Sequence, residues 1–125
     1  MGKIYVVNIK QEDFSNKPGY FYVARSKALK SPLGNPYTHD GKRSSLAKLS
    51  FRTRKEAIEA YELYFDEMYG TDKDFTDAFN TIYECYKSGM DIYLGCFCHP
   101  QPCHADIIKK KLQQKLIMEN KKAMP

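Results

Sequence analysis

The run from Asp91 to Phe97 constrains the fold more than any other part of the chain, because it is short, largely apolar and followed at once by a loop. Such a run is typical of a parallel strand that is buried on both faces. A helical pattern follows from Pro102, a residue that fits the first turn of a helix because its missing N–H costs nothing there. α/β proteins most often build ligand sites where strand, tight loop and helix follow one another. We therefore expect a parallel sheet with a site after this strand.

Two more strands are predicted from runs of β-branched and aromatic residues at 4–9 and 20–24. The segment 25–50 shows no regular pattern, and a segment of this length is often a functional loop. We expect one minor strand between Leu46 and Phe51.

Three amphipathic helices are also expected. Thr53 and Glu56 form a capping-box signature, so the first helix is predicted to follow Thr53 and to end near Gly70. Asp74 is expected to start the second helix, and Gly89 closes it. The predicted inner face of the first helix consists of Ala57, Ile58, Tyr61, Phe65 and Met68. The third helix has an apolar stripe of Ala105, Ile108, Leu112 and Leu116, and its lysines expected mostly to face water are Lys109, Lys110, Lys111 and Lys115.

This order of elements predicts an α/β fold, with a small single-domain sheet, Rossmann-like, flanked by helices. A chain of 125 residues, 42% of them hydrophobic, is large enough for one core but not for two. We assign residues 1–119 to this domain and expect 120–125 to form a flexible tail.

Composition disfavours several classes of protein. No apolar stretch approaches the length of a membrane span, and the start of the chain does not resemble a secretory signal. The cysteines are too closely clustered to staple distant parts of the chain, so we expect reduced thiols and a cytoplasmic protein. The net charge of +5 suits an anionic partner. Because the lysines are spread along the chain, a solvated surface is favoured over a nucleic-acid groove.

Three of the four cysteines and two of the three histidines lie between Cys96 and His104. One hypothesis is a zinc site formed by Cys96, Cys98, Cys103 and His104, with His99 as the alternative histidine. Zinc takes four ligands in a tetrahedron, with sulfur about 2.3 Å from the metal. Cys96 and Cys98 would lie about 6.5 Å apart on an extended strand, so chelation requires a sharp bend. Zinc is therefore the less favoured interpretation, and no other cofactor is indicated.

A second hypothesis places chemistry at the start of the third helix. The unpaired N–H groups and the dipole of a helix N-terminus favour anions and lower the pKa of a thiol. Cys103 is then a candidate nucleophile, with His99 or His104 as its base and Asp106 as the carboxylate that orients a histidine. The same amides can bind a phosphate without any reaction. Packing offers a simpler role for Cys96 as a small core residue and for His104 as a hydrogen-bond partner within the loop.

The segment from Ser31 to Tyr37 contains two prolines and one glycine, which restrict its backbone strongly. A rigid loop that carries an amide side chain, here Asn35, suits hydrogen bonding to a base edge, a ribose or a carbonyl group. Ser31 and Gly34 complete this candidate ligand-binding loop. A plain β-turn is the alternative interpretation.

Two motifs, taken in order, resemble one protein family. They are Ser31-Pro32-Leu33-Gly34-Asn35-Pro36-Tyr37 in the first half and Leu94-Gly95-Cys96-Phe97-Cys98, Pro100 and Cys103-His104-Ala105-Asp106 in the second. The family is the domain of unknown function 4326, small proteins of bacteria and phages, and the resemblance covers about residues 20–117. It implies a pocket shared by the two motifs, with an arginine nearby. Arg25 is the candidate for this arginine, and Arg43 and Arg54 are the alternatives.

These features favour binding of a nucleotide-like or ribosylated anionic small molecule between the Gly-Asn-Pro loop and the Cys-His loop. Whether the protein also turns its ligand over stays open. The enzymatic version is a hydrolase acting on a nucleotide or an N-glycosidic bond, but the sequence offers no paired-carboxylate motif for a glycosidase. The alternatives are a phage-type effector that binds a bacterial host protein, and a zinc-stabilised module that binds a host protein or nucleic acid.

Overall fold

The computed structural model describes residues 2–24, 31–34, 37–38, 49–50, 54–96 and 103–123. Within these ranges the strands are β1 (Ile4–Asn8), β2 (Tyr20–Tyr22), β3 (Tyr37–Thr38), β4 (Leu49–Ser50) and β5 (Ile92–Cys96), and the helices are α1 (Arg54–Met68), α2 (Lys73–Lys87) and α3 (His104–Ala123). The molecule is therefore an α/β protein, as the sequence predicts. None of the described helices combines the length and the apolar character needed to span a bilayer.

The described part of the sheet has three parallel strands in the order β1, β5, β2. Ile92 N–H donates to the Lys3 carbonyl at 2.8 Å, and Ile9 N–H donates to the Cys96 carbonyl at 3.0 Å. Because backbone groups of successive residues point to opposite sides of a strand, β1 bonds to β5 through its odd-numbered residues. The predicted buried parallel strand is confirmed over Ile92–Cys96.

On its other side β5 pairs with β2, and this pairing includes Gly19 just before β2 and Val23 just after it. Tyr93 N–H donates to the Gly19 carbonyl at 2.8 Å, and Val23 N–H donates to the Gly95 carbonyl at 3.1 Å. β5 thus uses its even-numbered residues for β1 and its odd-numbered residues for β2. β3 and β4 form a separate parallel pair, and β4 lies inside the predicted minor strand at 46–51. β3 lies in the segment expected to be irregular.

The two faces of the sheet differ. Side chains from β1 and β5 on one face are buried in the core, which also takes residues from all three helices. Those from the strands are Ile4, Val6, Ile92, Leu94 and Cys96, and those from the helices include Tyr61, Phe65, Phe75, Phe79, Ile82, Ile108 and Leu112. On the other face the rings of Tyr5 and Tyr93 stack at 5.2 Å, and Phe14 stacks on Tyr93 at 5.8 Å. The predicted inner stripe of the third helix is buried.

The second helix starts earlier than the sequence suggested. Asp72 is its N-cap, and the Asp72 carboxylate accepts a hydrogen bond from Phe75 N–H at 2.9 Å. Asp74, the predicted start, lies in the first turn, where a negative charge also interacts favourably with the helix dipole. The third helix is longer than predicted. α3 continues to Ala123, and its last residues lie in the segment 120–125 that the sequence analysis expects to form a tail.

Two of the lysines expected to face water lie between helices. The Lys111 ammonium is 2.8 Å from the Asp66 carboxylate and 3.4 Å from Glu62, and its side chain is only 16% exposed. Burial opposes the charge on Lys111, but hydrogen bonds to Asp66 and Glu62 outweigh it and raise the lysine pKa. Lys115 lies over the rings of Tyr69 and Tyr83, 5.6 and 5.0 Å from their centroids. Long apolar stems let both lysines cover aromatic surface while their charges reach carboxylates or water.

Gly19 is required where the chain enters β2. Its φ is +82°, and a Cβ there would lie 2.0 Å from the Asp91 carbonyl oxygen. Gly89 has a similar backbone, with φ of +100°, but among the described residues beyond its two chain neighbours none has an atom within 4 Å of the position its Cβ would take. Substitutions at Gly89 and Gly19 therefore separate two contributions to the free energy of unfolding: the cost of a left-handed backbone and the cost of a steric overlap.

We expect Gly89→Ala to lower the free energy of unfolding by about 1–2 kcal/mol, the cost of a left-handed alanine. Gly19→Ala should cost about 1–3 kcal/mol more, because the Asp91 carbonyl must also move and β5 then shifts against β2. Urea unfolding of both variants beside the parent chain measures the difference. Equal losses would contradict the packing described here.

Candidate functional site

The second motif begins at the carboxyl end of β5. Cys96 ends this strand and is 1% exposed, with its carbonyl bonded to Ile9 N–H. Cys103 directly precedes α3 and is 3% exposed. Neither thiol is in a disulfide. Cys96 is thus part of the core, the simpler of the two roles considered for it, and a reagent could reach the Cys103 thiol only after local movement.

Asp106 closes the first turn of α3 onto Cys103. The Asp106 carboxylate accepts a hydrogen bond from Cys103 N–H at 3.0 Å, and Asp106 N–H donates to the Cys103 carbonyl at 3.0 Å. A carboxylate in the first turn satisfies an N–H that the helix leaves unpaired and suits the positive end of its dipole. In the described part of the chain, Asp106 therefore bonds to backbone of Cys103; no bond from it to a histidine is described there.

His104 is held inside the protein. Its ring is 8% exposed, and Nε2 lies 2.5 Å from the Val23 carbonyl oxygen. Because a carbonyl can only accept, Nε2 must carry the proton in this bond. In the neutral ring, Nδ1 is then the nitrogen with a lone pair. The bond joins the first residue of α3 to the segment that follows β2.

The first motif starts as a tight turn after β2. Ser31 N–H donates to the Ala24 carbonyl at 3.2 Å, and Gly34 N–H donates to the Ser31 carbonyl at 3.0 Å. The Ser31 hydroxyl also accepts from Leu33 N–H at 3.1 Å. Leu33 is 1% exposed, so the turn is anchored in the core by its side chain.

Tyr61 of α1 connects the two motifs. Its hydroxyl donates to the Leu33 carbonyl at 2.7 Å, and the edge of its ring packs on His104 with centroids 5.0 Å apart. Burial, with smaller effects from Tyr64 and Cys103, raises the pKa of Tyr61 well above its ordinary value. The hydroxyl therefore stays protonated and remains a donor. The sequence placed Tyr61 only on an inner helix face; the available signal was that a buried tyrosine hydroxyl needs a partner.

Several predicted site residues lie outside the described residues. They are Arg25, Asn35, Arg43, Cys98 and His99, and the side chain of Arg54, which begins α1, is also outside them. Among the described residues no group of three or more metal-ligating side chains could hold an ion. Because Cys98 is not among these residues, the zinc hypothesis for Cys96, Cys98, Cys103 and His104 stays a prediction.

Two cavities adjoin the motif segments. A groove of about 790 Å³ runs along β1 and reaches Asp106 on α3. A smaller cavity of about 300 Å³ lies between β2 and α2 and is lined by Ser31 and Leu33. Tyr61 and His104 pack against each other between Leu33 and the first turn of α3, so these described residues are linked through buried side chains.

One family model matches the chain. It is described as domain of unknown function 4326, and it covers residues 7–114. No curated protein and no solved structure matches. The resemblance seen in the two motifs is therefore confirmed over most of the chain.

We expect Tyr61→Phe to lower the free energy of unfolding by about 1–3 kcal/mol, because it leaves the buried Leu33 carbonyl without its donor. Tyr86→Phe is the matched control. Tyr86 is also buried, but its hydroxyl makes no hydrogen bond within the described ranges. This control should cost less than about 1 kcal/mol. Chemical denaturation compares the two, and equal losses would show that the Tyr61 hydroxyl does not hold the motifs together.

Proposed function

Since the chain belongs to the family described as domain of unknown function 4326, we propose that its two motifs bind one nucleotide-like or ribosylated anionic small molecule. The ligand lies at the carboxyl end of the sheet, between the Gly-Asn-Pro loop and the start of α3. This proposal concerns binding first; hydrolysis is an additional step that it permits.

The contact of Tyr61 with both motifs carries the proposal. Through it, the turn at Ser31–Gly34 and the first turn of α3 lie on either side of one buried ring. Both segments also follow parallel strands, β2 and β5, at the same edge of the sheet. That edge is where open α/β sheets bind their ligands. The arrangement supports a site made from both motifs more than two separate roles.

The chemistry of α3 favours a ligand that combines an anion with hydroxyl groups. A helix N-terminus attracts a phosphate through its N–H groups and dipole. Asp106, however, already places a carboxylate on Cys103 N–H. A carboxylate is a hydrogen-bond acceptor, and the hydroxyl groups of a ribose are donors that it can bind. A ligand with a ribose near Asp106 and a phosphate further along the loop matches both the carboxylate of Asp106 and the N–H groups of the helix N-terminus.

A hydrolytic version would use His104 through Nδ1, the ring nitrogen that can take a proton when Nε2 donates to Val23. His104 would remove a proton from water as the water attacks the phosphorus or the anomeric carbon, with the leaving group departing from the same atom. Local movement is needed for the base role of His104 and for a nucleophilic role of Cys103, because both residues are buried. Binding alone requires neither event.

We also infer that the sheet is of the Rossmann type and that the protein acts in the cytoplasm. The parallel order β1, β5, β2, with α3 directly after β5, supports the first inference. None of the three described cysteines is in a disulfide, which supports the second inference.

The test is a thermal-shift and calorimetric screen of the purified chain against nucleosides, nucleotides and ADP-ribose-type compounds. At least one should raise Tm, because a ligand that binds only the folded state stabilises it. Asp106→Asn should abolish this rise. Asp72→Asn is the matched control, since Asp72 caps α2 with an equivalent bond to a backbone N–H, and it should keep the full response. No response across the panel, or equal loss in both variants, would contradict the proposal.

Metal analysis of the same preparation distinguishes the zinc hypothesis from the proposed small-molecule site. About one equivalent of zinc, lost in Cys103→Ser but kept in Cys85→Ser, would favour a metal-stabilised module instead. Cys85 is a suitable control because it is a half-buried free thiol on α2, outside both motifs.

A further inference from the structure

A row of three stacked aromatic rings crosses the face of the sheet that points away from the core. Tyr5 of β1 and Tyr93 of β5 stack with their centroids 5.2 Å apart and their planes 17° apart, and Phe14 stacks on Tyr93 at 5.8 Å. The described residues show no ring contact between Tyr5 and Phe14, so Tyr93 lies between these two rings. Tyr5 is therefore one end of the row.

Tyr5 ends this row at the wall of the groove of about 790 Å³ along β1. Tyr5 is 40% exposed, although Tyr93 covers one side of its ring. Within the described ranges Tyr5 makes no second ring contact. Aromatic rings stack with their centroids about 4.5–7 Å apart. The uncovered side of Tyr5 can therefore take one more flat ring as the next member of the row.

The same groove leads to the residue on which the proposed function depends. Asp106 and Lys109 line it from α3, and residues three apart lie on the same side of a helix. The volume of the groove lies within the range of about 300–1,000 Å³ that is usual for small-molecule sites. The groove therefore joins the aromatic row to the start of α3 in one space that is large enough for a single ligand.

Charges of both signs surround this space. Glu12, Asp106 and Lys109 line it, and Lys17 lies over two rings of the row, 5.8 and 5.4 Å from their centroids. The charged residues that adjoin a lining residue in the chain are Lys3, Lys10, Asp13 and Lys110, of which Lys110 is paired with Glu62 of α1. Proteins usually bind single-stranded nucleic acid along a positively charged groove, and the two carboxylates inside this groove disfavour such a partner. A small ligand with one anionic group and several hydroxyl groups can bond to both kinds of charge.

We propose that this groove holds the base of the ligand, stacked on Tyr5 as the fourth ring of the row. The inference rests on the proposed function and narrows the ligand to a nucleoside phosphate, as opposed to a sugar phosphate. Every nucleobase has a flat π-face, so the stack accepts any base. Gln11 and Glu12 line the groove beyond the end of β1 and offer hydrogen-bonding groups to the polar edges of the base.

Calorimetric titration of the purified full chain with AMP, UMP and ribose 5-phosphate tests the base contact. AMP and UMP should each bind about tenfold more tightly than ribose 5-phosphate, because a stacked base contributes about this factor or more. Tyr5→Leu should raise the Kd of both nucleotides about tenfold and leave that of ribose 5-phosphate unchanged. Tyr5→Phe is the matched control, since it keeps the ring, and it should keep the affinities of the parent chain.

Fluorescence gives a direct measurement of the same contact. The chain contains no tryptophan, so Tyr5→Trp carries a single indole ring at the end of the row. AMP should quench the emission of this indole because the base stacks on it, whereas ribose 5-phosphate should not. Leu63→Trp is the control, since Leu63 is exposed on α1 and does not line the groove. Its emission should be unchanged at the same AMP concentration.

The possible outcomes separate this inference from the proposed function. Equal affinities for AMP and ribose 5-phosphate in the parent chain, or an AMP affinity that Tyr5→Leu leaves unchanged, would overturn the base site alone. Adenosine that binds as tightly as AMP, and less tightly in Tyr5→Leu, would support the base site and contradict the anion site. Binding of none of these compounds would overturn both. Oligouridine that binds much more tightly than UMP would overturn the single-nucleotide site in favour of a nucleic-acid surface.

Discussion

Backbone hydrogen bonds occupy both sides of β5, and the positions of the other described elements follow from this. Its even-numbered residues bond to β1 and its odd-numbered residues bond to β2, so β5 cannot shift along one neighbour without also breaking its pairing with the other. Ile92, Leu94 and Cys96 of β5 are each no more than 1% exposed. The position of the carboxyl end of β5 in the sheet is therefore fixed, and α3 is the next described element along the chain.

The buried contacts around Tyr61 extend this constraint to the helices. Tyr61 does not belong to the sheet, yet its hydroxyl fixes the turn after β2 and its ring packs on the first residue of α3. The lysines between α1 and α3 reinforce the same alignment, because Lys111 bonds carboxylates of α1 while it covers the ring of Phe65. The spacing between the motifs is thus determined by one helix that carries neither motif.

The sequence predicts periodic features well here and long-range pairing poorly. The apolar run at 91–97 and the stripe of α3 follow from the periods of strand and helix, which local composition shows directly. Asp72 was missed because Asp74 offers the same capping chemistry two residues later. The inward positions of Lys111 and Lys115 depend on aromatic rings contributed by other helices. His104 is a sharper case, since its partner Val23 lies 81 residues away in the chain. No local sequence pattern predicts such a bond. The possible roles of His104 as base, metal ligand or structural anchor therefore could not be separated from the sequence.

The position of β5 in the chain also determines when the sheet can form. Both outer strands emerge from the ribosome before the strand that lies between them, and the Lys3–Asp91 contact spans 88 residues. Among the described strands, β5 is the partner of both β1 and β2, so during synthesis this pairing has to wait until Ile92–Cys96 has been added. Contacts this distant slow folding, because loop closure must precede them. The nascent chain therefore carries β1 and β2 without their shared partner until residues 92–96 have been made, and this later strand then sets the position of both earlier ones.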